Sequence, residues 1–348
     1  MEDLERVGIV ACGRQEPEDI DHLLIVAVRA APLPDRPEVS TYFDRFDAVE
    51  ARAPAATKWR MLRKHTLNAG LDRCYELPMN EWLFREPTAF NGKRLFRLGL
   101  AANFGIDEDG VQAAMDHGVN LFLWTRKVKG LGQPLRNALQ SRRESVAVVG
   151  YAAVGWFGWG VRRGAESLLR KLGTDYLDVY QLGWVGVGAS WNSTTERELV
   201  HLRESGKVRA ISVSIHNRVR AGELARTSPL DMLMIRYNAE HPGAESDIFP
   251  HVRGGRPTIL AYTATSWRRL LKPPKGWQGP TMTAGDCYRF QLSNPSVELA
   301  LMGPATRAQM EQNLAALEKG PLSPDEDRWI REYGRLLHGG KPAPALAG

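Results

Sequence analysis

Side chains that could perform chemistry follow short apolar runs at intervals along residues 100–263. A lysine can form a Schiff base or lower the pKa of a nearby phenol, a histidine can transfer protons, and an arginine can bind an anion. Phenols follow the apolar runs VAVVG and TILA, as Tyr151 and Tyr262. The other side chains of this kind are Asn103, Trp124, Thr125, Arg126, Lys127, Lys129, Trp184, Ser214, His216, Arg236, Tyr237, Asn238, His241 and Thr263.

The histidines and cysteines do not predict a metal centre. The three cysteines are far apart in the chain and odd in number, which argues against a disulfide scaffold and against a structural zinc site. His216 and His241 are widely separated and have no acidic third ligand in register. We therefore expect no metal ligands in this chain.

Composition indicates a soluble globular protein. The chain has 348 residues and a formal net charge of +6 at pH 7, and its arginines are scattered rather than gathered in a dense basic run. Nucleic-acid binding needs such charges on one face, so no nucleic-acid partner is expected. No window approaches the roughly 20 apolar residues of a membrane span. Because charged residues also interrupt any apolar start, we expect a cytoplasmic protein that does not bind membranes.

From residue 93 onward, short apolar strands alternate with helical segments. Parallel strands need crossover helices between them, and eight strand–helix pairs over about 250 residues are typical of a TIM barrel. The strands are predicted at 95–100, 119–122, 146–149, 177–182, 208–213, 232–235, 258–261 and 299–302. The helices are predicted at 107–117, 133–141, 161–172, 194–205, 218–227, 244–253, 284–292, 308–317 and 325–337.

Residues 1–92 differ from the rest of the chain and carry no chemical motif. The run 20–31 is short enough for a strand or a helix, whereas 42–51 and 58–71 have helical spacing. We therefore expect a mostly helical N-terminal extension over 1–92. It is either a cap packed on the main domain, or a lid or docking module for a substrate or a protein partner.

Six segments of the second domain have a distinctive sequence. They read RLGL at 97–100, GVN at 118–120, LGTDYLD at 172–178, GKVR at 206–209, AYT at 261–263 and GPATRAQMEQN at 303–313. In these segments the chain resembles the aldo-keto reductase family, over residues 93–335. The resemblance implies an eight-stranded (β/α) TIM barrel of aldo-keto reductase type at 93–340, a monomer, and a small-molecule substrate.

The resemblance also implies a catalytic tetrad of Asp, Tyr, Lys and His after strands 2, 3 and 4, with the Tyr as general acid. The Asp position falls at 123–124 and the Tyr position at 128–129, where neither residue type is present. The Lys position is occupied by Tyr151 and the His position by Gly183. We therefore expect all four tetrad residues to be absent, in segments that otherwise match.

The positions that bind a dinucleotide in this family are partly retained. By resemblance, Tyr262 is the aromatic residue that stacks on the nicotinamide, and Ser214 contacts its carboxamide. Ile215 and Met234 replace an Asn and a Gln of the family pattern, and Arg307 is the basic residue that could reach a 2′-phosphate. The implied cofactor is NADP or NAD. The implied cofactor-binding residues are Ser214, Tyr262, Thr263, Arg307, Gln309 and Asn313.

Three functional hypotheses remain open for this altered site. The preferred one is an NAD(P)H-dependent oxidoreductase of carbonyl or imine substrates. In one version of it Tyr151 is the acid and Lys127 and Lys129 lower its pKa; the alternative is that Tyr151 only lines the pocket and the lysines are solvated loop charges. A second is a non-redox lyase or isomerase, which uses Lys127 as a Schiff base or His216 and His241 as acid and base. The candidate catalytic residues are Tyr151, Lys127, Arg126, Trp124, His216 and Arg236.

The third hypothesis is a pseudoenzyme that binds a ligand or a protein partner. The chain has ten tryptophans, and several follow strands 2 to 4, including Trp124, Trp156, Trp159 and Trp184. Such residues would give the barrel an aromatic mouth that suits a flat or apolar ligand. Binding of a dinucleotide with turnover distinguishes the redox hypothesis from the other two.

Overall fold

The computed structural model describes residues 82–125, 130–152, 156–187 and 189–339, together with the strands Ile9–Cys12 and Leu24–Ala27. Contacts divide the chain into two compact units, Met1–Gly70 and Leu71–Gly348. In the first unit the two strands run antiparallel, so part of the run 20–31 is a strand. The helices predicted at 42–51 and 58–71 lie outside the described residues, and the mostly helical character of 1–92 stays a prediction.

The second unit contains a closed barrel of eight parallel strands, as the sequence predicts. Each strand pairs with the next in the chain, and the last pairs with the first. The strands are β1 Leu98–Ala101, β2 Leu121–Trp124, β3 Ala147–Ala152, β4 Leu177–Val185, β5 Val208–Ile215, β6 Met232–Arg236, β7 Thr258–Tyr262 and β8 Leu299–Met302. The eight-stranded TIM barrel is therefore confirmed.

Helices follow the strands and cover the outside of the barrel. They are α1 Glu108–Asp116, α2 Gly132–Ser141, α3 Gly158–Leu172, α4 Ser193–Glu204, α5 Arg218–Thr227, α6 Ala244–Asp247, α7 Ala284–Ser293, α8 Arg307–Leu317 and α9 Pro324–Leu337. The single helix predicted at 244–253 is wrong: α6 ends early and a 3₁₀ turn, Phe249–His251, follows it. Pro250 explains the break, because proline cannot donate the backbone hydrogen bond that continues a helix.

The core has two layers, one inside the barrel and one between the strands and the helices. Alternate strand residues fill the interior, among them Val149, Val179 and Leu260. Phe90 and Leu95 belong to the same inner cluster, and both are buried. The side chains on the other strand face pack against the helices in a separate cluster. The interior is thus a packed core, and barrels of this kind hold their sites at the carboxyl ends of the strands.

Buried polar residues hold the amino end of the barrel together. Asp178 is 2% exposed and accepts charged hydrogen bonds from Lys93 at 2.8 Å and Arg143 at 2.9 Å. The backbone N–H of Val148 on β3 donates to the same carboxylate at 2.9 Å. A buried carboxylate is stable only when it is paired. Asp178 therefore fixes β4 against β3 and against the segment around Lys93 that leads into the barrel.

Arg97 and Asn120 have similar structural roles. The Arg97 guanidinium is buried and donates to four backbone carbonyls, including those of Leu292 at 2.9 Å and Val297 at 2.7 Å. Asn120 accepts from the N–H of Phe96 and donates to two further carbonyls. Both residues therefore satisfy backbone groups where strands begin.

No helix in the parts of the chain described here is both long enough and apolar enough to cross a membrane.

Candidate active site at the barrel mouth

The phenol of Tyr151 lies over a glycine at the carboxyl end of the barrel. Tyr151 is the fifth residue of β3, and its ring packs against the inner cluster together with that of Tyr262. A Cβ atom at Gly183 on β4 would collide with the Tyr151 ring and hydroxyl. The ring therefore fills the space that any side chain at position 183 would need, and the two residues are complementary.

Gly183→Ala is expected to lower the free energy of unfolding by about 1–3 kcal/mol, because the new methyl group overpacks the Tyr151 ring. The measurement is urea-induced unfolding. In a Tyr151→Ala background the same substitution should be close to neutral, since the ring is gone. An equal cost in both backgrounds would show that the two residues do not compete for space.

Ser214 connects this phenol to the ends of β4 and β5. The register between the two strands shifts between Leu182 and Val185, which places Trp184 in left-handed backbone with φ 56°. The Trp184 N–H then donates to Ser214 Oγ at 2.8 Å. Burial raises the pKa of Tyr151, and a hydrogen bond to Ser214 opposes that rise. Strained backbone of this kind often marks a functional site.

Tyr262 and His216 form a second polar pair at the mouth. The Tyr262 hydroxyl lies 2.8 Å from His216 Nε2, and the two rings meet edge to face. Burial, followed by the charge of Arg236, lowers the pKa of His216, and burial raises the pKa of Tyr262 to about 12. Near neutral pH the phenol therefore donates to an uncharged imidazole, which fixes the orientation of the Tyr262 ring.

Arg236 is a cation at the edge of this site. It ends β6, is half-buried, and has no hydrogen bond or ion pair among the described residues. It lines a cleft of about 320 Å³ together with His216 and the first residues of α5. The other arginine in the cleft, Arg218, is paired with Asp247 at 2.8 Å. Arg236 is therefore available to bind an anionic group.

The remaining basic and aromatic candidates are Trp124, Arg126, Lys127 and Lys129. Arg126 and Lys127 lie outside the described residues, as does Lys129. Trp124 ends β2, but it belongs to the outer cluster that packs against the helices, and its Nε1 has no hydrogen-bond partner. The inner cluster takes Leu123 from this strand instead. The structure thus brings together Tyr151, Ser214, His216, Arg236 and Tyr262.

The loop after β7 contains an unusual left-handed turn. Ser266, Trp267 and Arg268 have φ values of 47°, 56° and 70°. Left-handed backbone costs roughly 1–2 kcal/mol for each residue that is not glycine, so contacts around the turn must offset several kcal/mol. The buried carboxylate of Glu240 supplies such contacts: it accepts from Ser266 Oγ at 2.5 Å and from Arg269 Nη2 at 2.8 Å.

This geometry agrees with comparisons to known proteins. A family model described as the aldo/keto reductase family matches residues 158–266. Aldo-keto reductase AKR11C1 of Bacillus halodurans has the same barrel, with a TM-score of 0.60 and 18% identity over 72% of this chain and 95% of its own. Residues 158–266 are thus similar to the aldo-keto reductase family, and the barrel is a fold that this chain shares with its members. An aldo-keto reductase of Klebsiella pneumoniae, solved with NADP and acetate, has a TM-score of 0.58 and 21% identity over 72% and 96% of the two chains.

Two relatives of known name are more similar in sequence. Aldo-keto reductase YhdN of Bacillus subtilis is 27% identical over an alignment of 176 residues. The alignment covers 45% of this chain and 53% of that protein. The NADH-specific methylglyoxal reductase of Escherichia coli is 25% identical over an alignment of 218 residues. The alignment covers 51% of this chain and 65% of that protein. The matched region thus spans about half to two thirds of these reductases.

The predicted residues of the adenine end lie on or beside α8. Thr306 caps the helix, and Asn313 is buried. The Arg307 Nε is 2.8 Å from Glu311 on the exposed side of the helix. Gln309 Oε1 accepts from the N–H of Ala305 at 2.8 Å, which orders the loop after β8. These residues are separate from the cluster around Tyr262.

Sequence reasoning missed two residues that shape the site. Gly183 was read only as a lost tetrad position, yet its missing side chain makes room for Tyr151. Glu240 carried no motif, because its partners Ser266 and Arg269 are 26 and 29 residues further along the chain.

Proposed function

We propose that this protein is an NAD(P)H-dependent oxidoreductase that reduces a carbonyl or imine compound at the barrel mouth. The observation that carries the proposal is the group formed by Tyr151, Ser214 and the Tyr262–His216 pair, at the end of the barrel where this fold holds its sites. The similarity to the aldo-keto reductase family and the names of related reductases support it. The non-redox and pseudoenzyme hypotheses have no comparable observation in their favour.

The residues present suit a dinucleotide at its nicotinamide end. The hydrogen bond to His216 would hold the Tyr262 ring as a stacking surface, and Ser214 on β5 offers a hydroxyl two strands away. When bound, the nicotinamide supplies a hydride to the substrate carbon. The chain must then supply a proton to the substrate oxygen or nitrogen. It must also exclude water and orient the reacting group.

Tyr151 is the proton donor in this proposal. It stands on β3, across the barrel from β7, the strand that carries Tyr262. Because burial raises its pKa, Tyr151 keeps its proton at neutral pH until charge develops on the substrate oxygen. The proton moves from the phenol oxygen to the substrate, and the phenolate is then reprotonated from solvent. Ser214 stabilises that phenolate through its hydrogen bond.

Arg236 gives the proposal a substrate class. A cation without a partner beside His216 and the cleft is suited to a carboxylate or phosphate on the substrate. We therefore expect a carbonyl compound that carries an anionic group.

Arg307→Ala is expected to weaken NADPH binding about tenfold and to leave NADH binding unchanged. The ion pair of Arg307 with Glu311 is exposed and screened by solvent, so a 2′-phosphate can displace it. The measurement is the Kd of each cofactor. The matched control is Arg328→Ala, which removes a similarly exposed, paired arginine on α9. An equal loss for both cofactors would remove the phosphate contact from the proposal.

The proposal is tested by titrating the full chain with NADPH and NADH while following tryptophan fluorescence. The Trp184 ring centre is 5.6 Å from that of His216, so bound cofactor should quench it. Trp184→Phe should lose most of the quenching, whereas Trp329→Phe on α9 should keep it. Saturation at micromolar cofactor, followed by cofactor oxidation with a 2-oxo acid or a phosphorylated aldehyde, supports the proposal. Folded protein that binds neither cofactor would overturn it.

A further inference from the structure

A cluster of three potential metal ligands lies outside the group around Tyr151. Glu240 and His241 follow β6, and His338 caps the carboxyl end of α9. One ligand atom from each residue lies within 4.8 Å of the other two. The two imidazole rings are perpendicular, with centroids 5.3 Å apart. Sequence analysis did not predict this cluster, because His338 lies 97 residues after His241 in the chain.

We propose that Glu240, His241 and His338 bind a divalent transition metal ion, with zinc as the best match. Two imidazole nitrogens and one carboxylate oxygen form a donor set that zinc uses with a fourth position open to water. Tetrahedral zinc with bonds of about 2.1 Å needs its ligand atoms roughly 3.4 Å apart. The present atoms must therefore approach by no more than about 1.4 Å, which a loop and a helix end can accommodate.

One hydrogen bond already orients the Glu240 carboxylate, as is usual around metal sites, and a second fixes the backbone of His241. The Ser266 hydroxyl donates to Glu240 Oε2 at 2.5 Å, and the backbone N–H of His241 donates to Asn238 Oδ1 at 2.9 Å. Glu240 is 2% exposed and is held in place. His338 is exposed, so it can close over the ion last.

Arg269 competes with the metal for Glu240. Its guanidinium lies 2.8 Å from Glu240 Oε1, and its side chain is 59% exposed. Because the arginine is mostly in solvent, it can move away when an ion takes the carboxylate oxygen. This competition leads to a specific prediction: removal of Arg269 should strengthen metal binding. If Glu240 served only as the ion-pair partner of Arg269, the same removal would not create any metal affinity.

A bound ion would connect three parts of the fold. It would join the loop after β6 to the end of α9, and through Glu240 it would brace the left-handed turn Ser266–Arg268. That turn follows Tyr262 closely in the chain. The metal would therefore stabilise the loops next to the candidate active site, and it takes no part in the chemistry proposed for Tyr151.

The test uses the full chain after treatment with a chelator and dialysis, with Zn²⁺ and Co²⁺ as probes. We expect one equivalent of Zn²⁺ to bind at micromolar concentration and to raise the Tm. Co²⁺ should give the visible absorption of a tetrahedral site. His338→Ala and His241→Ala should each weaken binding at least tenfold and abolish the Tm increase. His201→Ala, an exposed histidine on α4, is the matched control and should change neither.

Two further variants keep the test decisive. Arg269→Ala should tighten Zn²⁺ binding several-fold, because it frees Glu240 Oε1. Binding should also persist in a Cys12→Ser/Cys74→Ser double variant, which excludes the thiols as the ligands. Absence of saturable binding would overturn the proposal. Binding that survives both His338→Ala and His241→Ala would overturn it equally.

Discussion

Tyr151→Phe is expected to lower kcat for carbonyl reduction about 100- to 10,000-fold and to leave cofactor binding unchanged. The substitution removes one hydroxyl and keeps the ring over Gly183, so the packing at the mouth stays intact. General acids at enzyme sites contribute effects of this size. The measurement is steady-state cofactor oxidation, combined with the fluorescence titration that reports binding separately. Residual activity within a factor of ten of the wild type would remove Tyr151 as the proton donor.

Tyr262→Phe is the matched control for this experiment, because it removes the other phenol hydroxyl at the mouth. The ring that would stack on the nicotinamide remains, and only its hydrogen bond to His216 is lost. We expect a loss of about tenfold or less, seen mainly as weaker cofactor binding. If Tyr262→Phe were the more damaging variant in kcat, the proton would have to come from the Tyr262–His216 pair instead.

Asp178→Ala is expected to lower the free energy of unfolding by about 3–5 kcal/mol, the usual cost of leaving buried charges unpaired. The substitution leaves Lys93 and Arg143 without their shared carboxylate, and it leaves the N–H of Val148 without its acceptor. Such a loss is a large fraction of the roughly 5–15 kcal/mol that stabilises most folded domains. The measurement is urea-induced unfolding followed by circular dichroism.

Asp175→Ala is the matched control for this second experiment. Asp175 belongs to the same LGTDYLD segment, but it is exposed, so its removal should change stability by no more than about 0.5 kcal/mol. Neither substitution touches the mouth, and each purified variant that remains folded should keep its cofactor affinity. Similar stabilities for the two variants would mean that the Asp178 ion pairs contribute nothing net.

The residues that reveal the family in the sequence are mainly those that hold the barrel together. Arg97, Asn120 and Asp178 stand in the segments RLGL, GVN and LGTDYLD, and all three satisfy buried charges or backbone groups near the start of strands. Few other residue types can replace them, because an unpaired buried charge or carbonyl lowers the stability of the fold. For that reason the fold, the eight strands and the resemblance to the family could be recognised in the sequence alone.

Local pattern also located most of the candidate site. Parallel strands are apolar along their length, so the first polar residue after each run marks the barrel mouth. This reasoning selected Tyr151, Ser214, His216, Arg236 and Tyr262, which the structure brings together. It also selected Trp124, whose ring packs against the helices instead. Successive residues of a strand face opposite sides, so an error of one residue in the strand boundary reverses the predicted side. Strand boundaries predicted from sequence are uncertain by at least that much.

Only the tertiary structure decided how these residues act on one another. Sequence determined the barrel, its order of strands and helices, and the replacement of family residues at positions 151 and 183. The fit of the Tyr151 ring over Gly183, the Tyr262–His216 hydrogen bond and the Glu240 contacts to Ser266 and Arg269 join residues 26 to 46 positions apart. Contacts of this kind form only when separate strands and loops are positioned to within a few tenths of an ångström. No local periodicity in the sequence encodes such positions.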